Sequence, residues 1–304
     1  MRRLTTVLSS LAATAALVLA GPGAVASQLP VPYNFLPAAV LGGAPGSNAP
    51  GTNDWNCKPT AAHPYPVILV HGTLGNRATN WQTYGPLLKN NGYCVFALTY
   101  GATFPLPYPG AFGGMGSMVT SAQELATFVQ RVLTATGAHK VDLVGHSQGT
   151  LMPDYYVKFL GGASKVSAYV SLAPLWHGTS LFPLQYMAPI FGADAAKLPI
   201  CTACGQMGTG SAFLAHLGAG GFAVPGVRYV NIMTKYDELV KPYTSGIETG
   251  MTNLVVQHYC AFDFTEHFEI AADRNASILV LNALDPAHPR PLVCSVVLPW
   301  IGGF

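Results

Sequence analysis

The sequence predicts an α/β fold, a mostly parallel sheet with helices on both faces. Three observations carry this expectation. Short continuous apolar runs, such as Pro66 to Val70, recur along the chain, as expected of parallel strands covered on both faces. Between them lie segments with apolar residues at helical spacing. The two kinds alternate, which argues for strand–helix units rather than an all-helical or all-β domain.

The elements follow in order. Residues 27–62 are rich in Pro, Gly, Ala and Asn and read as an irregular arm leading into a single domain over 63–304. Pro66 to Val70 is the first strand. Trp81 to Asn91 reads as a helix ended by Gly92, and Cys94 to Thr99 as the second strand. Ser117 to Thr136 carries Val119, Ala122, Leu125, Val129, Val132 and Leu133 on one helical face. Ser121-x-x-Glu124 resembles a capping box, with Ser117 as the other candidate start. Val141 to Val144 is the third strand, Gln148 to Leu160 a helix stopped by Gly161 and Gly162, and Ser167 to Leu172 the fourth strand. Val227 to Met233 and Asn253 to Gln257 complete the strands, and Phe268 to Leu284 is a closing helix. Residues 173–226, rich in Gly, Pro, Leu and Phe, form an insertion expected to lie over the carboxyl ends of the strands as a pocket wall or lid.

Composition narrows the surroundings. Of 304 residues, 50% are apolar and 9% charged, with a net charge of +2. That excludes a disordered chain, and it leaves no basic surplus for nucleic acid. Arg2 and Arg3, an apolar stretch over Leu11 to Ala20 and Ala24-Val25-Ala26 together read as a signal peptide over 1–26, so the mature chain begins at Ser27 and is secreted. No later run reaches the ~20 apolar residues of a membrane span. Export turns the six cysteines into a disulfide question. They allow fifteen pairings, and pairing nearest neighbours in sequence joins Cys57 to Cys94, Cys201 to Cys204 and Cys260 to Cys294. Each of the two long loops would then contribute about 4 kcal/mol on a chain-entropy model. Cys201 and Cys204 also fit a redox or zinc pair by spacing, but no second close pair completes a zinc site.

The strongest chemical signal is Gly145-His146-Ser147-Gln148-Gly149, set between a strand and a helix. Small residues on either side allow a sharp, strained turn that exposes the serine hydroxyl at the sheet edge. The helix start behind it offers free N–H groups to a developing oxyanion. A serine needs a base, and in this arrangement an acid and then a histidine follow the serine in the chain. Asp237, first past the fifth strand, is the better acid, with Glu238 in reserve. His267, in the loop before the last helix, is the better base than His258, which lies in the strand pattern. The loop after the first strand supplies Thr73, whose N–H would join that of Gln148 at the oxyanion and whose hydroxyl could add a donor. His71 reads as a packing or hydrogen-bonding residue and His146 as one that shapes the turn, neither as the base. Leu175, Trp176, Phe182, Leu184, Phe191 and Phe213 are candidate acyl contacts, although ordinary core packing accounts for each as well. No metal or cofactor motif is present. The sequon Asn275-Ala276-Ser277 falls inside the closing helix and is set aside.

Val70-His71-Gly72-Thr73, the Gly-His-Ser-Gln-Gly turn, Tyr236-Asp237-Glu238 and Thr265-Glu266-His267 resemble the α/β-hydrolase lipases, and more narrowly the secreted actinobacterial class 2 triacylglycerol lipases and esterases. Ala173 to Thr179 and Asp237 to Pro242 are also similar to yeast lipase B-type sequences, which carry Thr-Trp where this chain has Gly145-His146. The resemblance covers roughly 54–286. It implies Ser147, Asp237 and His267 as a catalytic triad with Thr73 and Gln148 at the oxyanion, and it supports Cys57–Cys94 and Cys260–Cys294. The expected protein is an extracellular, monomeric serine carboxylic-ester hydrolase without cofactor, acting on small-molecule or lipid esters at or near a lipid–water interface. An acyltransferase acting on cell-envelope lipids through the same triad is the alternative. A non-catalytic binding module is a third reading, weakened by the complete triad.

Overall fold

The computed structural model describes residues 27–103, 110–180 and 201–303. The signal-peptide expectation, and the candidates Phe182, Leu184 and Phe191, lie outside them. The sheet comprises β1 (Val67–Val70), β2 (Val95–Leu98), β3 (Val141–His146), β4 (Val166–Leu172), β5 (Arg228–Met233) and β6 (Thr252–Val255). All are parallel, in the order β2-β1-β3-β4-β5-β6.

Side chains of each strand alternate between the two faces, and each face has its own core. On one, Ile68, Val70, Phe96 and Leu98 pack with α3 (Met118–Thr136) and α4 (Met152–Phe159). On the other, Val67, Leu69, Val95 and Ala97 pack with α2 (Tyr84–Asn90) and the closing helix Arg274–Leu284. Every β1 residue is fully buried, which explains an unbroken apolar run where a half-exposed strand would alternate. Burying one such side chain stabilises by about 1.5–3 kcal/mol.

Several boundaries differ from the sequence reading, each for a local reason. The arm is not wholly irregular: α1 (Phe35–Gly42) forms in it and is tied to the domain by the Phe35 N–H donating to Glu269 Oε2 (2.9 Å). The Ser117 hydroxyl accepts from the Val119 N–H and caps α3, so the Ser121 capping box does not form, and the Ser121 hydroxyl is buried inside the helix. The segment after β3 opens with a 3-10 turn (Ser147–Thr150) before α4. The expected sixth strand stops at Val255, and His258 sits exposed on a short helix (Val256–Tyr259). The closing helix is broken: a 3-10 turn (Glu269–Ala271) precedes it, and Asp273 starts the helix proper by accepting from the Ala276 N–H. Within 201–226 the insertion forms two short helices, Thr202–Met207 and Ala212–Leu217.

Cys57–Cys94, Cys201–Cys204 and Cys260–Cys294 are bonded. Asn275 is buried, donating to Asp263 Oδ2 (2.7 Å) and the Ser295 carbonyl (2.8 Å), so the sequon has no accessible amide. Among the described residues no helix is long and apolar enough to cross a membrane.

β2 lies on one side of β1 and β3 on the other, so the strand order reverses between β1 and β3. A crevice opens at the carboxyl ends of the strands at such a reversal. The loop after β1 and the turn after β3 both end there.

Candidate active site

Ser147 occupies the turn between β3 and the 3-10 segment with φ +56°, a left-handed conformation that costs a non-glycine residue about 1–2 kcal/mol. The glycines around it explain how the backbone tolerates this. A Cβ on Gly145 would strike the Gly149 carbonyl, and one on Gly149 would strike the carbonyl of Val70 in β1. The turn can therefore fold tightly against the sheet only without side chains at those positions.

The Ser147 hydroxyl lies 2.9 Å from His267 Nε2. Nδ1 of the same imidazole is 3.0 Å from both Asp237 oxygens. Asp237 Oδ1 also accepts the N–H groups of Leu239 (3.0 Å) and Val240 (2.7 Å), which holds its carboxylate in place. All three residues are buried. Glu238, the reserve acid, bonds the main chain and not the ring: its Oε2 accepts the backbone N–H of His267 (3.0 Å), and its side chain borders the cavity. His258 is not at the site.

Burial by itself disfavours the charged imidazole of His267, but Asp237, with Glu238 and Glu266 behind it, outweighs this and raises its pKa. For His146, on which Asp237 also acts, and for His71, burial prevails. Burial pushes them down to about 3 and about 4, so both stay neutral. His71 stacks on Tyr100 with ring centroids 4.3 Å apart. A neutral His267 so placed can take the serine proton, and Asp237 can stabilise the imidazolium that results.

Thr73 sits in the loop after β1. Its N–H has no acceptor among the described residues, and the Gln148 N–H is one of the first donors of the 3-10 turn, which no carbonyl within that turn can reach. The Thr73 hydroxyl behaves otherwise than expected. It donates to the Gln148 side chain (Oε1, 2.7 Å), so it braces the loop rather than adding a third donor.

A cavity of about 400 Å³ opens over Ser147 and His267. Leu175, Leu239, Val240 and Met207 give it apolar walls, and Phe35, Phe112, Phe268 and Trp300 stand around it. Of the acyl candidates among the described residues, Leu175 lines it. Trp176 does not: it is fully buried, its indole N–H donates to Asn231 Oδ1 (2.9 Å), and it packs among Tyr169, Phe222 and Tyr229 in the core. Phe213 is half-buried beside Tyr155, away from the cavity. Phe35 from the arm and Trp300 from the tail hairpin (Val297–Leu298 with Gly302–Gly303) were not legible as pocket residues. Nothing local distinguishes an aromatic at a chain end that folds back over the sheet. No group of three or more His, Cys, Asp or Glu able to hold a metal occurs among the described residues.

The loop carrying His267 rests on buried acids. Burial raises Glu266 to about 7 and Glu269 to about 8, and it raises Asp263 and Asp273 as well. In β3 and α4, burial lifts Asp142 and Asp154 to about 7 each. In the unfolded chain these groups ionise near pH 4. The folded state therefore holds more protons than the unfolded state between that pH and 7–8, and stability falls as pH rises through this window. His267, also raised, adds to the fall as pH passes its folded value. Below about pH 6.5 the depressed His71 and His146 oppose the trend, because the unfolded chain then takes up protons that the fold refuses. The melting temperature is expected to drop by several degrees between pH 6.5 and 8.5, measured by calorimetry at constant ionic strength. A flat or rising profile there would contradict these assignments.

The sequence model of the family described as lipase (class 2) matches residues 64–279. A triacylglycerol lipase of Pseudarthrobacter phenanthrenivorans is 36% identical over 100 residues, covering 31% of this chain and 28% of the relative. One of Burkholderia plantarii is 36% identical over 100 residues, covering 31% and 25%. These matches thus span little more than a quarter of the relatives' length. Aspergillus fumigatus lipase B superposes with a TM-score of 0.59 at 19% identity, over 82% of this chain and 63% of that one. Mature Bacillus licheniformis lipase BlEst2 superposes with a TM-score of 0.55 at 17% identity, over 74% and 94%. At these identities the structural likeness establishes the fold alone.

Proposed function

The chain belongs to the lipase (class 2) family, and from that premise we propose that it is a secreted serine carboxylic-ester hydrolase cleaving apolar acyl esters such as acylglycerols. Ser147 Oγ attacks the acyl carbonyl carbon while His267 Nε2 takes its proton. Asp237 holds the imidazole by Nδ1 and balances its charge. The N–H groups of Thr73 and Gln148 receive the oxyanion, and loss of one such donor typically raises a barrier by ~3–4 kcal/mol. As the intermediate collapses, the bond to the alcohol oxygen breaks and His267 returns its proton to that oxygen. Water then repeats the sequence on the acyl-enzyme and releases the acid.

One observation carries this reading: the Ser147 hydroxyl, 2.9 Å from a buried imidazole, lies at the floor of an apolar cavity. The walls support the substrate class, since they suit a hydrocarbon chain better than a charged one. The rim supports action at a lipid–water interface. Leu36, Val40 and Leu41 of α1 lie on the exposed surface, with Val40 and Leu41 81% and 88% exposed. The tail hairpin docks beside α1 through the Gly303 N–H on the Tyr33 carbonyl (3.1 Å), and it exposes Trp300 and Ile301. No charged residue occurs over 27–53 or 291–304, and Arg274 beside them is stacked on the Tyr33 ring, so the two segments themselves add no charged side chain to desolvate against lipid. Export, with residues 1–26 as a cleaved signal, is supported by the three disulfides.

An organophosphonate ester should modify the protein once, on the peptide containing Ser147, as read by mass spectrometry. The same preparation should release titratable fatty acid from an acylglycerol emulsion. Absence of both the adduct and the acid would overturn the proposal. If an added alcohol acceptor diverted most of the acyl group into a new ester, the acyltransferase reading would take its place.

A further inference from the structure

The loop that presents His267 has no helix or strand of its own, since residues 264–268 are irregular. Asp237 and Ser147 hold the ring, but a ring held only at its two nitrogens can still swing with its backbone. The backbone of His267 is gripped separately. Its N–H donates to Glu238 Oε2 (3.0 Å), and its C=O lies 2.8 Å from His146 Nε2. A carbonyl only accepts, so His146 carries its proton on Nε2 and donates it there. Both partners are sequence neighbours of the other two members of the site: His146 immediately precedes Ser147, and Glu238 immediately follows Asp237.

We propose that His146 and Glu238 are positioning residues, a two-sided clamp that fixes the backbone of His267 relative to the nucleophile's turn and the acid's loop. The inference rests on the triad reading above and deepens it. Through the clamp, the turn holding Ser147 and the loop holding Asp237 each reach the base twice, once at the ring and once at the main chain. Both side chains also border the cavity, but each of these two hydrogen bonds is made to the main chain of His267 and acts through that residue. Because reactive geometry tolerates little error, with a misplacement near 1 Å costing about 100-fold, the clamp acts on the rate of the chemical step rather than on substrate binding.

A plain alternative is that His146 and Glu238 only satisfy two buried polar groups and so contribute to stability. Variants of matched shape separate the two. His146→Phe keeps the ring's bulk and removes the donor, whereas His146→Gln can return an N–H at similar reach. Glu238→Ala removes the acceptor, whereas Glu238→Gln retains an acceptor oxygen without the charge. On the full chain with a soluble chromogenic butyrate ester, His146→Phe and Glu238→Ala are expected to lower kcat about tenfold or more while KM changes less than about twofold. The glutamine variants should recover most of that loss. Glu238→Gln should also move the acid limb of the pH–rate profile to lower pH, because Glu238 is one of the acids facing His267, with Asp237 and Glu266, of which Glu266, raised to about 7, is largely protonated on that limb, while neutral His146 adds no charge. Should His146→Phe fail to fold, the Glu238 pair decides alone. The clamp is overturned if kcat is unchanged in Glu238→Ala, or if each glutamine variant loses as much kcat as its partner variant at equal melting temperature. Phosphonate labelling of Ser147 in the same variants tells a failed clamp, in which labelling persists, from a failed triad, in which the parent protein is not labelled at all.

Discussion

Ser147→Ala is expected to lower kcat/KM for a soluble short-chain ester by about 10⁶, leaving only the residual rate that an oxyanion site and binding provide. The effect is this large because His267 then has no hydroxyl to deprotonate, and the nearest other hydroxyl at the cavity floor, on Thr73, is hydrogen-bonded to Gln148. KM should change little, since the cavity walls are untouched. The fold should also be unaffected, since alanine meets the same left-handed backbone that serine does. Ser147→Gly is the instructive companion. With φ at +56°, glycine relieves the strain and should raise stability by about 1 kcal/mol while being just as inactive. Hydrolysis and thermal melting of the pair decide the matter. Retained activity in Ser147→Ala would remove the nucleophile from the mechanism, and a glycine variant no more stable than the alanine would remove the strain argument.

Asp237→Asn is expected to lower kcat/KM by about 10⁴. The amide can present its NH₂ to His267 Nδ1, which leaves the proton on Nε2. That nitrogen would then donate to Ser147 Oγ instead of accepting from it. The carboxylate's help in raising the imidazole pKa is lost too, so burial prevails and the residual activity should persist to lower pH than in the parent. Glu238 cannot take over, because it is committed to the His267 N–H. Rates measured from pH 4 to 9 test both parts. A loss of less than tenfold, or an acid limb shifted upward, would show that Asp237 is not the partner of the base.

Much of the site is legible in the chain because the physics that makes it is local. A sharp turn between a buried strand and a helix needs glycines at 145 and 149, and the serine between them stands out by that pattern alone. The loop after β1 and the acid after β5 are readable for the same reason, each lying just past an apolar run. Position just past the strand favours Asp237 over Glu238, but it does not say what Glu238 does. Adjacent acids in a loop look alike in one dimension, and only the packing of the 264–268 loop against β5 turns one toward the ring and the other toward the main chain.

What the chain order decided is the alternation of buried strands and amphipathic helices, and with it the place of Ser147 at the crevice, since these follow from burial and turn geometry within a few residues. What the tertiary structure alone decided is the membership of the cavity. Trp176 looks like a pocket residue and is core, because its indole finds Asn231 of the next strand. Phe35 and Trp300 look like parts of terminal arms, yet they frame the opening, because segments without charged side chains can pack back onto apolar surface that the sheet leaves uncovered. Apolar contact carries no direction and no sequence separation, so only the assembled molecule can say which hydrophobic side chains meet.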